Sequence, residues 1–272
     1  MILEGDCLDL LRGVEDASVG LVYADPPFNT GRTQRRRTLS TRAATDGEGD
    51  RTGFGGRRYA TETVGTSAYA DAFDDYLGWL APRLAELRRV LSPEGTLYLH
   101  LDYREAHYVK VALDTLFGRE CFLNELIWAY DYGAKSRRRW PAKHDTILVY
   151  VRDPERYFFD GEAVDREPYM APGLVSAEKA ARGKRGTDVI WHTIVSPTGR
   201  EKTGYPTQKP EGLIRRFVQA STRPGDLCLD PFAGSGTLGA VAAKLGRRYL
   251  LMDESPEAVR VMRARLASAD GA

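Results

Sequence analysis

Several features that would narrow the reading of this 272-residue chain are missing. It has only three cysteines, Cys7, Cys121 and Cys228, without paired spacing, and Cys228 falls inside an apolar stretch. A disulfide framework is therefore excluded, no metal site is expected, and a reducing interior suits the chain. No charged start followed by an apolar run marks an export signal, and no stretch approaches membrane-spanning length. These absences predict a soluble, cytoplasmic protein that does not engage a membrane. The formal net charge is only +1, so contact with nucleic acid would have to come from local basic clusters. No Gly-Lys-Ser/Thr ending follows the glycine-rich stretch near the carboxyl end, which excludes a kinase-like phosphate loop.

What the chain does have is Ala24-Asp25-Pro26-Pro27-Phe28 directly after the apolar run Val19 to Ala24. A residue before proline is pushed into extended geometry, and proline has a fixed φ and no N–H. The Asp25 carboxylate and the Pro26 carbonyl are thus held rigidly, with no competing donor from either proline. An amino group on an aromatic base is a poor nucleophile because its lone pair is delocalised into the ring. Two acceptors aimed at that NH₂ would favour its tetrahedral, nucleophilic state, and Phe28 offers a flat face for a planar base. An ordinary turn closing a strand would use the same residues.

The second stretch is Gly225 to Asp230, a short apolar strand. It is followed by the glycine-rich turn Pro231-Phe232-Ala233-Gly234-Ser235-Gly236-Thr237 and a helix from Leu238 to Leu245. Strand, glycine turn and helix bring backbone close to a nucleoside ligand at the carboxyl edge of a doubly wound sheet. A further apolar run, Tyr249 to Met252, ends in Asp253, where an acid suits the paired hydroxyls of a ribose. A tight turn in any α/β domain remains the alternative. A nicotinamide-dependent oxidoreductase would share these features, but it leaves Asp-Pro-Pro-Phe unexplained. Cytosine carbon-5 methylation is excluded separately: it needs a thiolate nucleophile, usually in a Pro-Cys context, and no cysteine here follows proline.

With these blocks, Gly5-Asp6-Cys7 and Tyr205-Pro206-Thr207-Gln208-Lys209-Pro210, the chain resembles the circularly permuted, beta-class DNA amino-methyltransferases. In that family the catalytic motif precedes the cofactor motif. The resemblance extends to Phe73 to Leu77 and Leu97 to Asp102. It implies a doubly wound, Rossmann-like α/β sheet with a small recognition insert, and a methyl transfer from S-adenosylmethionine to an amino group in double-stranded DNA after base flipping. Asp25, Pro26, Pro27 and Phe28 would be catalytic. Asp6 and Cys7 would lie by the cofactor adenine, and Thr207, Gln208 and Lys209 would hold its methionine end. Asp230 and Phe232, Ala233, Gly234, Ser235, Gly236 and Thr237 would form the cofactor turn, with Asp253 on the ribose. Aspartate in the first position of the motif points to adenine; cytosine N4, RNA and protein amides pose the same chemical problem. The resemblance makes room for a homodimer and for a cognate restriction endonuclease, with a solitary enzyme as the alternative to the latter.

Basic residues are clustered. Arg32, Arg35, Arg36 and Arg37 open a polar stretch, Lys135, Arg137, Arg138, Arg139 and Lys143 flank Trp140, and Lys179, Arg182, Lys184 and Arg185 form a third group. The first two are expected to meet DNA phosphates, with solvated surface loops as the alternative for all three. Trp140, Trp191 and Tyr132 could stack or wedge, or simply pack. Taken with periodicity, the resemblance implies a catalytic half over 1–130 containing a mobile basic loop at 29–67, and a recognition region over 131–204 with a returning strand at 145–151. A cofactor half spans 205–272. Helices are expected over Asp75 to Leu91, Arg104 to Phe117, Glu211 to Ser221 and Pro256 to Ala267. Ser92 to Gly95 is expected to turn the chain before a strand at Thr96 to Leu101, and Pro210 to occupy the first helical turn.

Overall fold

The computed structural model describes residues 1–43, 51–52, 58–133, 135–196 and 198–267, with backbone alone for 32–43, 51–52 and 58–70. It divides into two compact units, Asn29–Asp74 and the remainder, Met1–Phe28 with Asp75–Ala272.

The larger unit holds strands β1 (Ile2–Glu4) and β2 (Val19–Ala24), with helix α1 (Cys7–Leu11) between them. The smaller unit holds β3 (Arg32–Ala43), β4 (Arg51–Thr52) and β5 (Arg58–Asp71). The larger unit resumes with α2 (Tyr76–Val90), β6 (Leu91–Leu101), α3 (Ala106–Phe117), β7 (Phe122–Ala129), β8 (His144–Val151), α4 (Ala177–Arg182) and β9 (Val189–Trp191). It closes with α5 (Glu211–Ser221), β10 (Leu227–Asp230), α6 (Thr237–Lys244), β11 (Arg248–Asp253) and α7 (Pro256–Ala267).

Eight strands of the larger unit form one sheet in the order β1-β11-β10-β2-β6-β8-β7-β9. Neighbours from β1 through β6 pair in parallel, β8 runs against both β6 and β7, and β9 is parallel to β7. Helices α1, α2 and α3 pack in one group and α5, α6 and α7 in another, each group touching the sheet. A sheet covered on both faces needs strands that are apolar throughout. Leu21 to Ala24, Leu97 to Leu101 and Ile147 to Val151 are accordingly buried without alternation. Helix α5 inserts Leu213, Ile214, Phe217 and Val218 into the same core, each worth about 1.5–3 kcal/mol for full burial.

The order also fixes where a ligand can enter. From β10 the chain crosses through α6 to β11 on one side, whereas from β2 it crosses through α2 to β6 on the other. The adjacent carboxyl ends of β10 and β2 therefore bracket a topological switch point, where open α/β sheets leave a crevice. The two sequence stretches of interest end there.

Local expectations mostly hold. Asp75 caps α2, its Oδ1 accepting the Gly78 N–H at 2.8 Å, and α5 and α7 have the expected bounds. Three differ. Ser92 to Gly95 lies inside β6 as a bulge, because Val19 pairs with Leu91 and the next pair is Leu21 with Thr96. Pro210 is the N-cap of α5 rather than part of its first turn, with extended backbone of φ −71° and ψ 139°. The expected mobile loop at 29–67 is, over its described residues, a three-stranded antiparallel sheet in the order β3-β5-β4. Part of that stretch, 44–50 and 53–57, lies outside the described residues. Arg32 pairs with Asp71 and Arg35 with Ala68, and the ladder continues to Ala43 with Tyr59, with one register shift after Thr38. Threonine, valine and tyrosine favour strands, and backbone pairing needs no apolar face. The base of this sheet is closed by the Gly31 N–H donating to the Asp71 carbonyl at 2.9 Å and the Phe73 N–H donating to Asn29 Oδ1 at 3.0 Å.

Candidate active site

Five aspartates gather where parallel strands end. Asp25 follows β2, Asp230 ends β10, Asp253 ends β11, Asp6 follows β1 and Asp102 follows β6. Their surroundings differ, and with them their chemistry.

Asp25 is partly buried. The Lys209 ammonium donates to its Oδ2, while its Oδ1 is buried with no hydrogen-bond partner among the described residues. Lys209 also lies 5.2 Å from the centre of the Phe28 ring. The Pro27 carbonyl accepts the Tyr76 hydroxyl at 2.8 Å, so the proline pair is fixed from α2 as well as by its own rings. A buried carboxylate oxygen without a partner is costly. Here it marks an acceptor position that a ligand's N–H can satisfy.

Asp230 is fully buried, and burial pushes its carboxyl well above the usual range, although the Phe232 N–H donates to Oδ1 at 3.0 Å. The glycine turn follows. Gly234 and Gly236 have φ of +50° and +72°; a Cβ on Gly236 would stand 2.8 Å from Met262 Cγ. Glycine is thus required by conformation and by space at once. Asp253 Oδ2 accepts the Gly234 N–H at 2.8 Å and its Oδ1 the Ser255 N–H at 2.9 Å, and burial raises its carboxyl above the usual range. From α7, Arg265 clamps the turn by donating to the Ser235 carbonyl at 3.1 Å and to Glu211 at 2.9 Å.

The 205–210 block is brought to both motifs. A Cβ on Gly234 would lie 3.2 Å from the Tyr205 ring, the Thr237 hydroxyl donates to the Lys209 carbonyl at 3.1 Å, and Lys209 reaches Asp25. Gln208 is occupied with its own loop, accepting from the Thr203 N–H at 2.9 Å and donating to the Glu201 carbonyl at 2.7 Å. Thr207 is exposed with φ of +56°. Asp6 caps α1 by accepting the Leu8 N–H at 2.7 Å and pairs with Arg83 at 2.6 Å. Arg83 lies 4.3 Å over the Trp79 ring, and Trp79 lies 5.9 Å from Phe232. Asp6 is thereby linked to the cofactor turn. Cys7 is buried in the first turn of α1, its thiol pushed up to about 11 by burial, and all three cysteines are free.

Sequence reasoning gave no role to Tyr76, Trp79, Arg83, Arg265 or His100. Tyr76 falls in the Phe73 to Leu77 block of the resemblance but received no role, and nothing marked Trp79, Arg83 or Arg265, since each belongs to an ordinary helical pattern. A histidine inside the apolar run Leu97 to Leu101 was a usable signal.

The basic clusters fare differently. Lys135, Arg137, Arg138 and Arg139 are exposed, as are Trp140, Tyr132 and Trp191 at 94%, 69% and 64%. Lys143 instead ties its own loop, donating to the Asp131 carbonyl at 2.6 Å. The third cluster is partly consumed by ion pairs, Arg185 with Glu162 and Lys184 with Glu167. Arg32, Arg35, Arg36 and Arg37 lie on β3.

A switch-point crevice bordered by a glycine turn, an acid after the next strand and a proline-locked acceptor defines a Rossmann-like group transferase with a nucleoside cofactor. The DNA methylase family model matches residues 19–264, and the chain belongs to that family. DNA adenine methyltransferase YhdJ of Escherichia coli (strain K12) is 28% identical over 273 residues, spanning 97% of this chain and 82% of the relative. Type II methyltransferase M.HpaI of Haemophilus parainfluenzae is 28% identical over 263 residues, spanning 97% and 73%. Among solved structures, PvuII DNA methyltransferase (cytosine-N4-specific) superposes with a TM-score of 0.67 at 17% identity, over 97% of this chain and 85% of that one. The crystal structure of M1.HpyAVI in complex with SAM gives 0.61 at 20% identity, over 98% of each chain. The protein is a DNA methyltransferase on the permuted Rossmann-like sheet. None of its described helices is long and apolar enough to cross a membrane.

Proposed function

We infer that the chain methylates the N6 amino group of adenine in double-stranded DNA, with S-adenosylmethionine as donor. The observation that carries this reading is Asp25 Oδ1, a buried acceptor left open beside Phe28 at the switch point. The residues fit the cofactor: Asp253 retains lone pairs for a ribose hydroxyl after its two backbone contacts, Phe232 and Trp79 offer aromatic surface for a purine, and positive-φ glycines let backbone approach. When bound, S-adenosylmethionine supplies an electrophilic methyl on a sulfonium. Asp25 Oδ1 and the Pro26 carbonyl accept the two amino hydrogens and turn the nitrogen lone pair out of conjugation. Phe28 stacks on the base. Lys209, by occupying Oδ2, leaves Oδ1 as the acceptor.

A stacked adenine cannot present its amino group in line, so the base must be everted at a cost of a few kcal/mol. Contacts from the basic residues of β3 and of 131–143 offset that cost, and 131–204 supplies sequence recognition. Adenine rather than cytosine follows from aspartate at position 25, and YhdJ bears an adenine name. Digesting methylated DNA to nucleosides and weighing them tests this directly: N6-methyladenine is expected, and N4-methylcytosine alone would overturn it. DNA affinity should fall about 0.9 log units per log of salt for each phosphate neutralised. A flat salt response would remove the basic clusters from the interface. By family, the enzyme works in the cytoplasm, as a homodimer and beside a cognate restriction endonuclease. Light scattering tests the dimer.

A further inference from the structure

Beneath the catalytic turn runs a buried polar chain that the roles above do not use. The Tyr23 hydroxyl lies 2.8 Å from His100 Nδ1, His100 Nε2 lies 3.1 Å from Asp145 Oδ2, and the Tyr130 hydroxyl donates to Asp145 Oδ1 at 3.0 Å. Tyr23 sits two residues before Asp25 on β2, His100 is on β6 and Asp145 opens β8. Tyr23, His100 and Asp145 are all buried, His100 completely.

Burying such groups is tolerable only when each is paired, and the pairing here dictates the proton positions. Burial holds the Tyr23 phenol well above its ordinary pKa, so the phenol keeps its proton. His100 is its hydrogen-bond partner, and donation to Nδ1 satisfies that proton. His100 Nδ1 is then an acceptor, and the ring's own proton is on Nε2, donated to Asp145. Burial, the largest single influence, would raise the Asp145 carboxyl, but His100, Lys209 and the Tyr130 hydroxyl together outweigh it and the carboxyl is held below its usual range. With both nitrogens committed, the imidazole can neither flip nor change tautomer without breaking a buried bond. Its ring stands edge-on to Trp128 at 5.6 Å and 89°, and Trp128 is itself pinned by donating to the His192 carbonyl at 2.8 Å. On another side it lies 5.9 Å from Phe28, tilted by 30°, within the range of a direct aromatic pair.

We propose that the Tyr23–His100–Asp145 chain is a positioning device for Phe28. It locks the His100 ring as a backing surface, and so sets the plane that Phe28 presents to the everted base. This rests on the stacking role given to Phe28 above. Tyr130 lies just past the end of β7 and leads into the basic stretch 131–143, so the device also ties that stretch to the catalytic turn through two hydrogen bonds and the His100–Phe28 ring contact.

The test is a double-mutant cycle, read as transfer of labelled methyl from S-adenosylmethionine to genomic DNA from cells lacking the protein. Tyr23→Phe removes one hydroxyl and keeps the ring stacked on Phe217. It should lower kcat about tenfold, less than the roughly hundredfold that a 1 Å misplacement can cost, while the cofactor Kd stays unchanged. In a Phe28→Leu background the same substitution should cost little more, because two changes acting through one contact do not add. Asp145→Asn leaves the tautomer unfixed and should behave alike, which keeps the test open if Tyr23→Phe folds poorly. Nitrogen NMR should find His100 protonated on Nε2 in the native chain. Full additivity of Tyr23→Phe with Phe28→Leu, or no loss from Tyr23→Phe, overturns the device and leaves the function standing. Undiminished transfer by Phe28→Leu alone overturns the stacking role and the device together.

Discussion

Two neighbouring strands end in aspartate, and the chain treats the two residues in opposite ways. After β2, prolines remove freedom: Asp25 is followed by Pro26 and Pro27, Tyr76 holds the Pro27 carbonyl, and Lys209 supplies a counter-charge to one carboxylate oxygen. After β10, glycines add freedom: Gly234 and Gly236 take positive φ, and Asp230 is sealed in the core with a backbone N–H as its hydrogen-bond partner. Burial pushes Asp230 toward its neutral form. The same side chain is a lysine-paired acceptor on one side of the crevice and a sealed structural post, held toward its neutral form, on the other. A rigid turn suits a group that must meet one reacting atom, and a close-fitting backbone suits a large ligand.

The largest expected effect is on the rigid side. Asp25→Ala should cost about 3–4 kcal/mol at the transition state, a hundred- to a thousandfold in kcat, as for other lost electrostatic stabilisers. Cofactor affinity by titration calorimetry should not change. Undiminished methylation by that variant would break the contrast at its first member. On the glycine side, Gly236→Ala should destabilise the fold by about 2 kcal/mol, because alanine is strained at positive φ and its Cβ meets Met262. Thermal melting would show this together with weaker cofactor binding, whereas an unchanged melting temperature would mean that the turn tolerates a side chain.

The third effect is smaller and concerns charge. A buried acid whose folded pKa is raised binds a proton that the unfolded chain has released. Stability from Asp230 is therefore complete below its ordinary pKa of 3.8 and declines as pH rises toward the folded value. The slope is roughly one kcal/mol per pH unit. Asp230→Asn keeps the contact with Phe232 and lacks that slope, so its melting temperature should gain on the native chain as pH rises from about 5 to about 7. Parallel curves would show that Asp230 is ionised in the core, and the contrast with Asp25 would vanish.

The parts of this arrangement that sequence made visible are those with chemistry in their local order. Asp-Pro-Pro-Phe, the glycine turn and the acid after the next strand are each contiguous, and β2, β10 and β11 were recognisable as apolar runs leading into them. The missed strands have specific reasons. Strand β9 is three residues long, and β7 reads Phe122-Leu123-Asn124-Glu125-Leu126-Ile127-Trp128-Ala129, with polar residues breaking its apolar pattern. Strands β3 and β5 are rich in arginine, threonine and serine, and so read as a loop. The polar chain through His100 joins residues far apart in sequence, and no local pattern can announce such a meeting. Lys209 illustrates the same limit. The resemblance assigns it to the methionine end of the cofactor, yet the fold turns it onto Asp25.

Reversal of β8 has an evolutionary consequence. An antiparallel strand beside β6 sends the β7–β8 connection out at the rim where the catalytic turn opens. The connection at 131–143 joins two strands of the core sheet and none of its described residues is buried, so it can be lengthened, shortened or exchanged without rewriting the core. Exchanging residues 131–143 for those of another such enzyme should therefore leave the core sheet, and with it the melting temperature, unchanged.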